Sequence, residues 1–263
     1  MVLVYIIFFA VSFGASIIGA ICGIGGGVII KPVLDAFGVL DVSTIGFLSG
    51  CTVLVMSCYS VVRSKVSGSS AIDMSIGTPL AIGAAVGGVA GKSCFNWVAS
   101  LFEDPNTAGA VQAITLGIIT LGTLIYTLKK DKIKTYHVKN VIACLLIGFI
   151  LGIMSSFLGI GGGPINLVVI YFFFSMTTKV AAQNSLYIIL FSQATSFLQT
   201  LLTGLPAVSW LLLAGMIAAG LLGGICGRAI NKKIDDKVVD KLFIGLMAVI
   251  ILINIYNTVK YLG

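Results

Sequence analysis

Apolar residues run through this chain in long blocks separated by short polar connections, and several blocks reach the ~20 residues needed to cross a bilayer core. Two blocks are interrupted in the same way. Residues 2–22 lead into Gly23-Ile24-Gly25-Gly26-Gly27 and residues 28–39 lead out; residues 141–158 lead into Gly159-Ile160-Gly161-Gly162-Gly163 and residues 164–176 lead out. Glycine in a helix interior costs roughly 1 kcal/mol relative to alanine, so four glycines in five residues predict a break. In lipid, a break is tolerated only where the freed backbone groups are buried in protein or line a wet cavity. After each break come three unbroken apolar spans, about 43–62, 74–91 and 108–128 in the first half and 181–202, 208–227 and 242–261 in the second.

The glycine motif recurs 136 positions later, and the same offset aligns much more. Phe13 falls on Phe149, Ser49 on Ser185, Leu54 on Leu190 and Ser60 on Ser196, while Gly87-Gly88 falls on Gly223-Gly224, Gly91 on Gly227 and Lys92 on Arg228. One gap-free offset across such distant segments marks an internal duplication. It divides the chain into a first membrane repeat (1–129), a basic cytoplasmic linker (130–137) and a second membrane repeat (138–263).

Composition agrees. The chain is 58% hydrophobic and 10% charged, against about 25% charged in soluble domains. The N-terminus lacks a basic region ahead of Val2, so no cleavable signal is expected. The net charge of +7 sits in short loops between spans, which reads as an orientation signal and not as a nucleic-acid surface.

Charge also selects a topology. If each broken run crosses once, the 16 Lys and Arg divide 8 to 8 between the two faces. If each run doubles back at its glycines, they divide 13 to 3, with Lys31, Lys92 and Lys260 alone on the sparser side. Lys and Arg accumulate on the cytoplasmic side, so the second arrangement is expected. A hairpin plus three spans is an odd number of crossings, which turns one repeat upside-down relative to the other. The expected fold is therefore an all-α polytopic membrane protein of two inverted repeats, each a glycine-broken re-entrant or hairpin helix pair plus three transmembrane helices. Both termini are expected outside.

The candidate chemistry lies at the glycine tips. Gly23, Gly25, Gly26, Gly27 and Gly159, Gly161, Gly162, Gly163 place backbone N–H groups at the positive end of an outgoing helix, a geometry that binds anions. Lys31, four residues past Gly27 on an apolar arm, is an ionisable group in a membrane segment. Asn166 in the first turn after the second tip, and Ser49, Asn184, Ser185 and Gln193 in the spans that follow the breaks, supply hydrogen-bonding side chains. Asp35, Asp41, Asp73, Glu103 and Asp104 fall near predicted span ends, so no carboxylate relay within a span is expected. His137, the single histidine, lies in the basic loop and no catalytic constellation is visible. No cofactor or metal is expected, since the six cysteines form no CxxC and have no histidine beside them. Cys22 and Cys226 motivate one alternative, a thiol-redox protein passing reducing equivalents through intramembrane cysteines.

The two GIGGG breaks, each followed by a span that opens on small polar residues, resemble the TauE/SafE family of sulfite-exporter-like membrane proteins. Pro32 on the first outgoing arm fits that family, whereas the second copy carries Pro164 directly after its glycines. Where the family tends to Gly-Thr-Ser, this chain has Phe47-Leu48-Ser49 and Gln183-Asn184-Ser185. The resemblance implies a multi-pass inner-membrane transporter, not an enzyme, moving sulfite, thiosulfate or organosulfonates. Its expected partners are a small anionic substrate, membrane lipid and a homo-oligomer, with no nucleic acid.

Overall fold

The computed structural model describes residues 2–263, and those residues contain no strand. The helices are α1 (Val2–Cys22), α2 (Gly27–Phe37), α3 (Val42–Val66), α4 (Met74–Ser100), α5 (Pro105–Lys129), α6 (Val141–Phe157), α7 (Pro164–Phe174), α8 (Thr178–Thr203), α9 (Trp210–Asn231) and α10 (Asp236–Leu262), with a 3-10 turn at Lys130–Lys132. Seven of them (α1, α3, α4, α5, α8, α9, α10) are long and apolar enough to cross a membrane. Several run past the apolar stretch that predicts them: α4 continues to Ser100 and α10 begins at Asp236. Polar ends extend such helices because capping side chains satisfy their first amides. Asp41, Asp73, Asp104, Asn140, Ser209 and Asp235 each accept a hydrogen bond from a backbone amide of the first turn. Three of the carboxylates that the sequence puts near span ends are thus helix caps. The Asp73 carboxyl is held below its usual range chiefly by its bond from the Ser75 hydroxyl, and then by the Ser75 amide.

The two halves pack reciprocally. α4 lies on α6 as α9 lies on α1, α4 on α8 as α9 on α3, and α2 on α10 as α7 on α5, while α3 meets its own repeat partner α8 and α5 meets α10. Each helix pairing of one half thus recurs between the corresponding helices of the other. The α4–α6 contact is a glycine seam. Gly83, Gly87 and Gly91, one turn apart, sit against the backbone carbonyls of Leu145, Phe149 and Ile153, so close that a Cβ would come within 2.3 Å of each. Small residues at such spacing let helix backbones approach in lipid, where no hydrophobic effect pulls helices together. Large apolar side chains such as Ile118, Leu146, Leu222 and Leu252 point outward.

The helix ends gather in two sets. At one end, Arg228 of α9 donates to Ser67 and Ser69 after α3, and Gln183 of α8 accepts from Ser64 and the Ala71 amide. Thr178 donates to Asp240, which also pairs with Lys130, and the Tyr136 and Val138 amides donate to Phe172 and Phe173. The last two bonds bring the entry of α6 beside the exit of α7. This is the basic end of the bundle. At the opposite end, Lys260 donates to the Ala36 carbonyl and Asn257 to that of Pro32. There Val4 and Tyr5 of α1 share a cavity wall with Leu40 after α2 and Val208 before α9, so α1 and α2 also have their outer ends together.

Candidate functional site

α1 and α6 each lead a glycine tip into the centre of the bundle. The turn needs left-handed backbone at Gly23 (φ 73°) and Gly159 (φ 64°), a region that a side chain strains. Gly25 and Gly161 approach Val53, and Gly25 and Gly162 approach Ile189. Val53 and Ile189 occupy equivalent middle positions of the long helices α3 and α8. The tips meet each other there. A Cβ on Gly27 would stand 2.0 Å from the Ile160 carbonyl oxygen and 3.0 Å from Ser49 Oγ. The two tips therefore touch through Gly25, Gly27, Gly161 and Gly162, with Ser49 against Gly27, while Gly23 faces Ala182 and Gly159 faces Lys31 and Gly46.

The tip amides are partly committed. Gly27 N–H turns back to Gly25, Ile29 and Ile30 N–H donate to the Gly26 carbonyl, and Asn166 N–H donates to that of Gly163. On the tips and on the helices that hold them is a set of buried side-chain groups with no partner among the described residues. They include Ser49 Oγ, Ser57 Oγ, Ser185 Oγ and both polar atoms of Asn166. Buried polar groups are hydrogen-bonded in most native structures, and an orphan cluster of this kind marks a place for water or a ligand. Gln193 lies 3.3 Å from the Cβ direction of Gly161 and donates to Ser155 at 3.4 Å. Asn184 points elsewhere, donating to Val180 and to Ala71 before α4.

Lys31, the ionisable group on the first outgoing arm, is in a buried ion pair. Its Nζ donates to Asp35 Oδ2 at 2.6 Å, and the residues are 3% and 6% exposed. Its Cε lies 3.2 Å from the Cβ direction of Gly159, so the side chain bridges the outgoing arm of one tip to the turn of the other. Asp35 falls near a helix end as expected, but it is buried. The α2 arm, 11 residues long, is packed inside the protein against α10 and α3. The sequence holds the pairing in its i, i+4 spacing.

Two cavities flank the tips. One lies at the opposite end, lined by Lys31, Lys92, Phe47, Phe197, Gly159 and Gln193 among others, and at about 30 Å³ it has room for one water. The Phe47 and Phe197 rings stack across it, 6.2 Å apart. The other lies at the basic end and measures about 210 Å³, with Lys179, Arg228 and Lys232 in its wall. The 136-residue offset relates them: Ala20, Ser60, Ser64, Ala182 and Arg228 of the wider cavity correspond to Ser156, Ser196, Thr200, Gly46 and Lys92 of the narrower one. Lys92, Lys179, Arg228 and Lys232 are absent from the residues singled out by sequence. The alignment of Lys92 with Arg228 was the available signal, but charges near span ends look like orientation signals.

All six cysteines are free thiols, with Cys22, Cys51 and Cys144 buried and Cys58, Cys94 and Cys226 on the outer surface. Nothing in this distribution favours a redox relay.

The fold defines a multi-pass helical membrane protein with a duplicated, glycine-broken centre, the build of a transporter. The family model described as sulfite exporter TauE/SafE matches residues 8–253, nearly the whole length, and the chain belongs to that family. No curated protein and no solved structure matches it.

Proposed function

We propose that this protein carries small sulfur-containing anions such as sulfite or thiosulfate across the cell membrane by alternating access at the two glycine tips. The observation that carries the reading is their meeting. Two GIGGG turns touch at the middle of α3 and α8 with Ser49 against them. Ser49, Ser185 (one turn before Ile189) and Asn166 (in the first turn after the second tip) carry buried, unpartnered polar atoms. A small oxyanion accepts hydrogen bonds from hydroxyl and amide groups of this kind, and helix starts add favourable potential. Lys31, held by Asp35, keeps the arm of the first tip against the second and adds no net charge to the path. In this state the tips are shut against each other, so passage requires the hairpins to separate.

The same reading gives the halves opposite orientations in the membrane. α1 and α2 form a hairpin entering from the opposite end, and α6 and α7 form one entering from the basic end. The shared outer ends of each pair support this. The basic end then faces the cytoplasm, with both termini outside. Its outgoing arms, 11 residues each, are ~16 Å long, while α1, at 21 residues, is long enough to reach most of the way across.

Uptake of labelled sulfite into proteoliposomes tests the proposal. Gly26→Leu and Gly162→Leu are expected to abolish flux, and a melting transition in detergent separates loss of the site from loss of the fold. Wild-type flux in both variants removes the tips from the mechanism.

A further inference from the structure

Resting on that reading, we propose that the 210 Å³ cavity at the basic end is a separate anion-binding site, a station for a doubly charged oxyanion on its way to or from the tips. Its lining points one way. Lys179, Arg228 and Lys232 bring three cations to the wall, and among the described residues no carboxylate lines it. Arg228 is pinned in place, its Nη1 donating to the Ser60 carbonyl at 3.1 Å and its Nη2 to Ser67 and Ser69 at 3.1 and 3.0 Å. A guanidinium held this way loses little freedom on meeting an oxyanion. Lys179 donates to the Ile234 carbonyl, which orients its ammonium and leaves its charge uncompensated.

Two neutral groups complete the pattern. Gln183 spends its Oε1 on the Ser64 hydroxyl and the Ala71 amide, so its NH2 remains as the donor it offers the cavity. Ser60 lines the same wall with a hydroxyl that is buried, 5% exposed, and without a partner. Asn231 in the same wall spends its NH2 on the Ile21 carbonyl and offers its oxygen as an acceptor. Three cations, the Gln183 NH2 and the Ser60 hydroxyl outweigh it, a set that favours an anion over a cation. At ~30 Å³ per water, the volume accommodates a sulfite- or sulfate-sized ion with part of its hydration shell. The repeat-related cavity provides an internal comparison. There Lys92 stands for Arg228, Ser43 for Lys179, and the Phe47–Phe197 stack occupies the places of Gln183 and Val61. The same pocket is built twice, wide and strongly cationic at one end, narrow and flanked by stacked aromatic rings at the other.

Thiol labelling of the full-length protein in proteoliposomes tests the site without relying on transport. Ser69→Cys is introduced into a background with Cys58, Cys94 and Cys226 replaced by serine, and its modification rate is measured with an anionic sulfonate methanethiosulfonate and a cationic trimethylammonium one. Relative to a free thiol, the anionic reagent is expected to be favoured at least about ten-fold, since a cavity of one charge sign concentrates the opposite ion. Arg228→Gln and Lys179→Gln should each cut that preference several-fold. Inorganic sulfate should slow the reaction more than chloride at equal ionic strength. Absence of an anionic preference, a preference indifferent to both neutralisations, or equal effects of sulfate and chloride overturns the proposal. In Gly162→Leu the preference and the sulfate protection should persist, because the cavity does not include the tips. A protein that keeps both yet never transports sulfite would retain this site and lose the transport reading alone.

Discussion

Gly27→Ala is the smallest change that pries the two tips apart. Gly27 has helical backbone, so alanine meets no dihedral penalty there, and in isolation the substitution should favour α2 by up to about 1 kcal/mol. The obstacle is the other tip. The new methyl would stand 2.0 Å from the Ile160 oxygen and 2.7 Å from its carbonyl carbon, where ordinary contacts between such atoms are about 3.5 Å. The backbones must therefore part by more than an ångström, and overpacking of this kind costs about 1–3 kcal/mol. Gly159 and Gly161 have left-handed backbone and nearby walls of Lys31 and Val53, so the second tip cannot easily give way. A net loss of about 1–2 kcal/mol is expected, a fall of several degrees in melting temperature for a chain of this size. Sulfite uptake should fall further, by ten-fold or more, because a 1 Å misplacement of converging groups disrupts function out of proportion to stability. Gly245→Ala in α10 is the control, since nothing lies within 4 Å of its Cβ direction. The comparison is by melting temperature in detergent and by uptake in proteoliposomes. If Gly27→Ala matches Gly245→Ala in both, the tips are not in contact and the reasoning fails.

Lys31→Met should destabilise the protein by about 3–5 kcal/mol by stranding the Asp35 carboxylate, and Lys31→Met with Asp35→Leu should recover most of that loss; a double-mutant cycle in chemical denaturant reads the coupling. Phe47→Ala removes one ring of the stack that flanks the narrower cavity, and a cysteine placed at Ser196 in its wall should then react with water-soluble reagents several-fold faster. Asp73→Ala should cost about 1 kcal/mol at neutral pH by uncapping α4. The folded pKa of Asp73 is lowered, so the folded state holds fewer protons than the unfolded one. Its contribution is present above the ordinary aspartate pKa, about 4, and is lost as pH falls through the folded value. The stability difference between wild type and Asp73→Ala should accordingly vanish in strong acid.

The number and order of helices could be read from the sequence because each apolar block is long and the duplication checks one half against the other. The α2 and α7 arms were visible as short blocks for the same reason. Helix ends were less legible: α4 starts where its span predicts but runs on to Ser100, and α10 starts at Asp236, ahead of its apolar stretch, where the Asp235 cap marks it. The glycine tips announced themselves, but what they touch did not, since a backbone-to-backbone contact such as Gly27 on Ile160 leaves no pattern in residue type. The place of Asp35 near an arm end was legible, but its burial was not, because the arm that carries it is covered by α10 and α3. Lys179, Arg228 and Lys232 read as topology signals for a related reason. A cation at a span end and a cation in a cavity look alike until the neighbouring helices are in place.

The arrangement of the halves is tested most directly by which side of the membrane each connection occupies. In the cysteine-reduced background, Lys134→Cys, Lys233→Cys and Gly263→Cys are probed singly in intact cells with a membrane-impermeant maleimide. The account predicts that Cys introduced at 263 labels from outside while those at 134 and 233 label only after the membrane is opened. Labelling of 134 and 233 from opposite sides would contradict it, because no pair of doubled-back tips permits that topology.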